Sequence, residues 1–199
     1  MCGSCYAFAT AAAVEGAVAI KTGIATGWLS YQQVLDCSSS FGNQGCNGGG
    51  LGSSFNYMIA AGGLCADSAY PYTGVVGTCK ASSCTKVAQV KSTSFVAAGS
   101  QSALEAAVRQ GPVTVAVAAG TTTWQLYAGG IINACDSRLD HAVLAVGYDV
   151  DSKGIPFYRL KNSWGSSWGE TGFVRVARSA TCGKNGASGV QMEPVFPVV

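Results

Sequence analysis

Apolar and polar positions change rhythm near the middle of the chain. In the first half the apolar residues fall in helix-like runs. "SCYAFATAAAVEGAVAIKTG" sets a cap-like Ser4 before an Ala-rich run, with Lys21 in the last turn and Gly23 beyond it, and predicts a long helix. Ser30-Tyr31-Gln32-Gln33 has capping-box spacing ahead of Val34 and Leu35 and predicts a second. "GLGSSFNYMIAAGG" predicts a third, ending at Gly62. A Gly-rich turn region, "SSSFGNQGCNGGG", lies between the last two, and the loop "YPYTGVVGTCKASSC" follows. The second half is strand-like. Ser102 with Glu105 predicts the start of a short helix stopping at Gly111-Pro112, and then come "VTVAVA", "HAVLAVGY", "FYRLKN" and "FVRVA". Helices first and strands later predict an α+β fold, mostly helical over residues 1–93 and mostly β over 94–199.

Composition narrows the function classes. The chain of 199 residues is 48% apolar and 11% charged, which fits a packed globular protein. A net charge of +2, scattered along the sequence, argues against nucleic acid or a membrane surface as partner. The nearest approach to a membrane span, "ATAAAVEGAVAI", is short and interrupted by Glu15. No N-x-[S/T] sequon occurs, and no signal peptide is visible at Met1. The cysteine count changes the picture most. Nine is odd and high for a reduced cytosolic chain, while one histidine and a single C-x-x-C do not make a zinc site. Four disulfides and one thiol are the simpler arithmetic, and they imply an oxidising compartment, secreted or lysosomal/endosomal. No metal and no cofactor is expected.

"MCGSCYAF" then reads two ways, as a redox dithiol or as a half-cystine beside a lone reactive thiol. A nucleophilic Cys5 would sit at the predicted start of the first helix, where the macrodipole and open N–H groups favour an anion. It would need a base, and His141 is the only histidine. It would need a group to orient the imidazole, and Asn162 in "KNSWGSSWG" is a candidate. Spacing alone does not bring the three together.

Cys2-Gly3-Ser4-Cys5-Tyr6, followed far downstream by His141 and Asn162, matches the sequence signature of papain and the cathepsins. "GCNGGG", "YPYTG", "WQLYAGGI", "LDHAVLAVGY", "KNSWGSSWGETGFVRV" and "PVFPVV" occur in the same order as in that family. Over essentially its whole length the sequence resembles a papain-like cysteine peptidase of the cathepsin L-like kind. The resemblance implies a two-lobed fold, with a helical left lobe, a β-barrel-like right lobe and the active site in the cleft between them. It implies Cys5 as nucleophile, with its own N–H as an oxyanion donor, His141 as general base and then acid, and Asn162 as the residue holding the imidazole, shielded by Trp164. It implies disulfides Cys2–Cys46, Cys37–Cys79 and Cys135–Cys182; Cys65 and Cys84 remain and pair by elimination. A thioredoxin-like dithiol would expect a βαβ unit, which the sequence lacks.

The resemblance also implies substrate contacts. Gly48 and Gly49 fall along the unprimed cleft wall, with Asn47, Asp140 and Ser163 as further contacts and Trp164 and Trp168 on the primed side. The S2 pocket draws on Gly50, Leu51, Ala116, Leu139 and Ala142, an apolar and roomy lining that favours a bulky apolar P2 residue. Its floor has two candidates. Counting from Cys182 gives Ala187; counting back from "VFPVV" gives Glu193, which would favour Arg or Lys at P2 by charge pairing. Carboxydipeptidase relatives use a histidine-bearing occluding loop, and with one histidine already assigned the chain is expected to be an endopeptidase. Expected partners are peptide or protein substrates, cystatin-like inhibitors and its own propeptide, around a monomeric enzyme. The glutamine that the family places six residues before the nucleophile, the N-terminal segment and the propeptide do not occur in this sequence. It is therefore expected to be truncated, and its alternative is a non-catalytic binding or structural module.

Overall fold

The computed structural model describes residues 2–199; Met1, and the expectations resting on it, lie outside them. The chain forms two units. One runs up to Ser94 and takes back Phe196–Val199; the other is Phe95–Val195.

The first unit is built on helices α1 (Cys5–Thr22), α2 (Tyr31–Cys37) and α3 (Leu51–Ala60). Small side chains let α1 sit deep: Ala7, Ala9, Ala11, Ala13 and Val14 are all buried, and α2 and α3 pack against it. Gly23 closes α1 in the left-handed conformation, its N–H donating to the Ala19 carbonyl. At α2 only half of the predicted capping box forms. Ser30 Oγ accepts from the Gln33 N–H, but the Gln33 side chain turns to Tyr57 Oη and the Gly63 carbonyl and accepts from the Cys65 N–H. A buried amide with three long-range partners outweighs a local bond back to its own cap. Strands β1 (Leu64–Cys65) and β2 (Lys86–Ala88) form a small antiparallel pair. Residues 38–50 and 66–85 hold only short 3₁₀ turns, and each of the disulfides Cys2–Cys46, Cys37–Cys79 and Cys65–Cys84 anchors one end in them.

The chain leaves this unit along β3 (Ser92–Phe95). In the second unit, helix α4 (Gln101–Gln110) starts two residues earlier than the Ser102–Glu105 spacing predicts. Its cap is Ser100, whose Oγ accepts from the Ala103 N–H, worth about 1 kcal/mol. Glu105 is drawn instead into a salt bridge with Arg178 at 2.7 Å. The strands follow: β4 (Val113–Val117), β5 (Ile131–Ile132), β6 (His141–Val150), β7 (Pro156–Lys161) and β8 (Phe173–Ala177), with the short helix α5 (Thr122–Gln125) after β4; of β9 (Val195–Val198) only Val195 belongs to this unit. Within this unit β4, β6, β7 and β8 are antiparallel neighbours, β5 lies parallel to β8, and Val195 of β9 pairs with Thr114 of β4. Val113, Val115 and Val117 and the run Ala142–Ala145 are buried. The fourth disulfide, Cys135–Cys182, ties the segment before β6 to the one after β8. The molecule is α+β, as the segregation of helix-like and strand-like runs predicted.

Candidate active site

Two clusters carry reactive side chains, one in each unit. In the first unit Cys5 is the opening residue of α1, an 18-residue helix with no acidic residue in its first turn and Lys21 in its last. It is half-buried and stands outside the four disulfides. Ser4, buried, caps the helix through its carbonyl, which accepts from the Ala7 and Phe8 N–H groups, while its hydroxyl bonds Tyr72 Oη at 2.6 Å. Phe8 packs against both Tyr31 and Tyr72. Beneath the helix start, burial and the adjacent Cys5 push the Tyr6 phenol up to about 12, so it stays protonated and donates to the Gly45 carbonyl.

The Gly-rich segment is fixed against this helix start by close approach. The Gly3 N–H donates to the Cys46 carbonyl at 2.9 Å, and a Cβ at Gly3 would meet that oxygen at 2.8 Å. At Gly49 a Cβ would meet Asn43 Oδ1 at 2.5 Å. Buried Asn43, which no sequence pattern marks out, accepts from the Gly50 N–H and donates to Ser38 and Ser54. Asn47, Gly49 and Gly50 are exposed, Gly48 half-exposed and Leu51 buried.

In the second unit His141 is the first residue of β6, paired with Val117 of β4. The antiparallel ladder sets Leu144 opposite Lys161, so the residue following β7 falls beside the start of β6. Asn162 occupies that position, and its Oδ1 lies 2.7 Å from His141 Nε2. The same Oδ1 accepts from the Ser163 N–H at 2.8 Å, which identifies it as the carbonyl oxygen. An acceptor at Nε2 requires the proton there, so the neutral imidazole keeps its lone pair on Nδ1. Asn162 is itself held by a 2.9 Å bond from its N–H to the Gly172 carbonyl. Burial lowers the His141 pKa from its ordinary value of 6.5, opposed by the bond to Asn162 and by the charge of Asp140.

Trp164 covers the imidazole, with ring centroids 4.8 Å apart, and Trp168 meets Trp164 edge-on at 5.0 Å. Trp168 Nε1 donates to the Trp124 carbonyl. The Asp140 carboxylate accepts from the Ala119 and Gly120 N–H groups, tying the end of β4 to the residue preceding His141. Ala116 and Ala142 pair across β4 and β6, and Leu139 lies against Gly189. Ser163 is exposed. Of the two S2-floor candidates, Ala187 is fully buried and Glu193 is exposed. Each unit thus gathers its own share of the predicted residues: Cys5 with residues 47–51, and His141 and Asn162 with Ala116, Leu139, Asp140, Ala142, Trp164 and Trp168. Among the described residues no group of His, Cys, Asp or Glu side chains could hold a metal ion.

Comparison with known proteins shows the family of the chain. The family described as "Papain family cysteine protease" matches residues 1–198. The senescence-specific cysteine protease SAG39 of Oryza sativa subsp. indica is 42% identical over 197 residues, covering 98% of this chain and 57% of the relative. The chain therefore spans little more than half the length of that relative. Among solved structures, the bromelain protease of Ananas comosus in complex with the E64 inhibitor superposes with a TM-score of 0.94 at 38% identity, covering 100% of this chain and 90% of that one. The Amb a 11 cysteine protease of ragweed pollen, in its proform, gives a TM-score of 0.93 at 37% identity, covering 100% and 59%.

Proposed function

This chain belongs to the papain family of cysteine proteases, and on that premise we propose that it is an endopeptidase working through Cys5, His141 and Asn162. The observation that carries the reading is the 2.7 Å bond between His141 Nε2 and Asn162 Oδ1, which leaves Nδ1 as the basic nitrogen. The reaction requires that nitrogen to take the Cys5 thiol proton. The thiolate then adds to the scissile carbonyl carbon, with the Cys5 N–H as one donor to the oxyanion. Collapse breaks the C–N bond as the imidazolium protonates the departing amine, leaving a thioester on Cys5. Water, deprotonated by His141, adds to the thioester, and the acid product leaves as the thiol is restored. Trp164 keeps water from competing for the His141–Asn162 bond.

Peptide and protein chains are the substrates. An apolar S2 lining of Gly50, Leu51, Ala116, Leu139 and Ala142 favours a bulky apolar P2 residue. Exposed Glu193, rather than buried Ala187, is the residue available to attract a basic one. Asn47, Gly48, Gly49, Asp140, Ser163 and Trp168 complete the substrate contacts. Four disulfides fit an oxidising compartment, secreted or lysosomal. A propeptide and cystatin-like proteins are the expected inhibitory partners of a monomeric enzyme.

An epoxide inhibitor of the E64 type tests the chemistry. Stoichiometric labelling of Cys5, lost in His141→Ala, is the expected result. A folded chain that resists the label would instead be a non-catalytic module with this fold.

A further inference from the structure

Ser188 is one of only two non-glycine residues with positive φ among the described residues, at φ +54°, and it is buried. A non-glycine residue persists in that conformation only where its surroundings hold it. Each of its polar groups reaches a different segment. The N–H donates to the Ala134 carbonyl at 2.7 Å, the carbonyl accepts from the Ala118 N–H at 2.9 Å, and Oγ accepts from Trp124 Nε1 at 3.0 Å.

Two routes run from these bonds to the imidazole. Ala118 is followed by Ala119 and Gly120, whose N–H groups hold the carboxylate of Asp140, the neighbour of His141. Trp124 stacks on Trp168 with ring centroids 6.2 Å apart and accepts the Trp168 indole N–H through its carbonyl. Trp168 backs Trp164, which covers His141. We propose that Ser188 is a positioning residue for His141, clamping the Trp124–Trp168–Trp164 stack and the Ala118–Gly120 segment so that the imidazole stays covered and bonded to Asn162. The inference rests on the reading of His141 as the catalytic base. Trp124 lies 64 positions from Ser188, and losing Oγ would leave its buried indole N–H without the acceptor it has.

The chain has a single histidine, so its ring resonances can be followed by NMR without ambiguity. Titrations are run in a Cys5→Ala background, where no thiol competes, and kinetics in the Cys5 enzyme. Ser188→Ala and Trp124→Phe remove the same bond from opposite ends. Each is expected to raise the His141 titration midpoint towards its ordinary value, as the tryptophan cover loosens, with Asp140 the charged neighbour that remains. Each should also lower kcat by up to about 10²-fold with KM little changed. The double variant leaves no orphaned donor, so it should be no worse than either single one. A folded Ser188→Ala whose midpoint and kcat match the parent would overturn the proposal, as would single effects that simply add in the double variant. If Ser188→Ala does not fold, Trp124→Phe decides by the same readouts. An inactive parent would count against the catalytic reading alone, because the titration needs no turnover.

Discussion

Around Cys5 the chain is held by covalent bonds and by glycines, whereas around His141 it is held by a strand ladder and stacked rings. Three of the four disulfides lie in the first unit, and each ties down a stretch with little regular structure. Every positive-φ residue described there is glycine, while the second unit sets Thr171 and Ser188 in that conformation. The difference follows from what each segment lacks. The Gly-rich wall at 42–50 has no ladder to fix it, so cross-links shrink its unfolded ensemble and absent side chains allow close backbone contact. The start of β6 and the end of β7 are fixed by register, so side chains there are available to shape one imidazole.

The largest effect should come from the covalent half. Replacing Cys37 and Cys79 together by serine opens a cross-link with a sequence separation of 42. Chain entropy puts the loss at about 4 kcal/mol. Hydrogen exchange should show α2 and α3 losing protection while the β6–β7 ladder keeps it. Equal loss in both units would mean that the contrast between them has no energetic content.

Next in size is Asn162→Ala. It removes the acceptor for His141 Nε2 and also leaves the Ser163 N–H without its partner. We expect kcat/KM to fall about 10²-fold through a misdirected imidazole. Thermal unfolding should move far less than in the disulfide variant. A loss of activity that merely tracks a loss of stability would break the distinction between holding a fold and aiming a side chain.

A smaller effect reads the second unit through pH. Burial holds the folded-state pKa of His141 below 6.5, despite the bond to Asn162 and the charge of Asp140. The unfolded chain therefore binds the proton more readily, and stability falls as pH drops from the ordinary imidazole range towards the folded-state value. In Cys5→Ala the histidine should titrate below 6.5 by NMR, and the unfolding midpoint should decline across the same interval. Adding His141→Gln should remove that component of the decline. A midpoint at or above the ordinary value would show that the tryptophan cover does not exclude water.

These tests bear on what the residues alone could reveal. The Ala-rich run, its closing glycine and the alternating valines made α1 and the sheet legible, because each follows from local periodicity. The start of α4 is not legible: Ser100 and Ser102 both offer a cap oxygen, and the partner that draws Glu105 away from a capping box, Arg178, lies 73 positions on. His141 was legible as a candidate base because the chain has one histidine. The tautomer that leaves the lone pair on Nδ1 was not, since it depends on β6–β7 register and on the Ser163 N–H. Ser188 was invisible, because its importance comes from a positive φ and an indole 64 positions away. Local pattern carries the elements; long-range hydrogen bonds carry the aim of the site.

The smallest effect concerns Thr171, the other non-glycine with positive φ, at +56°. It is exposed and makes the reversal in which Glu170 bridges Phe173. A β-branched side chain gains nothing from that conformation, and left-handed backbone costs an L-residue roughly 1–2 kcal/mol. Thr171→Gly relieves the clash but adds unfolded-state entropy, so the net gain should be about 1 kcal/mol, a rise of about 2–4 °C in Tm. The turn also matters to the site, because the Gly172 carbonyl accepts the Asn162 N–H and the Gly172 N–H donates to Trp168. If Thr171 only carries strain, Tm rises and kcat stays unchanged. If Tm rises while kcat falls, the stiffness of a non-glycine turn is part of what steadies Asn162. The two side chains that the second unit sets at positive φ, among its many positive-φ glycines, would then serve the imidazole rather than the fold.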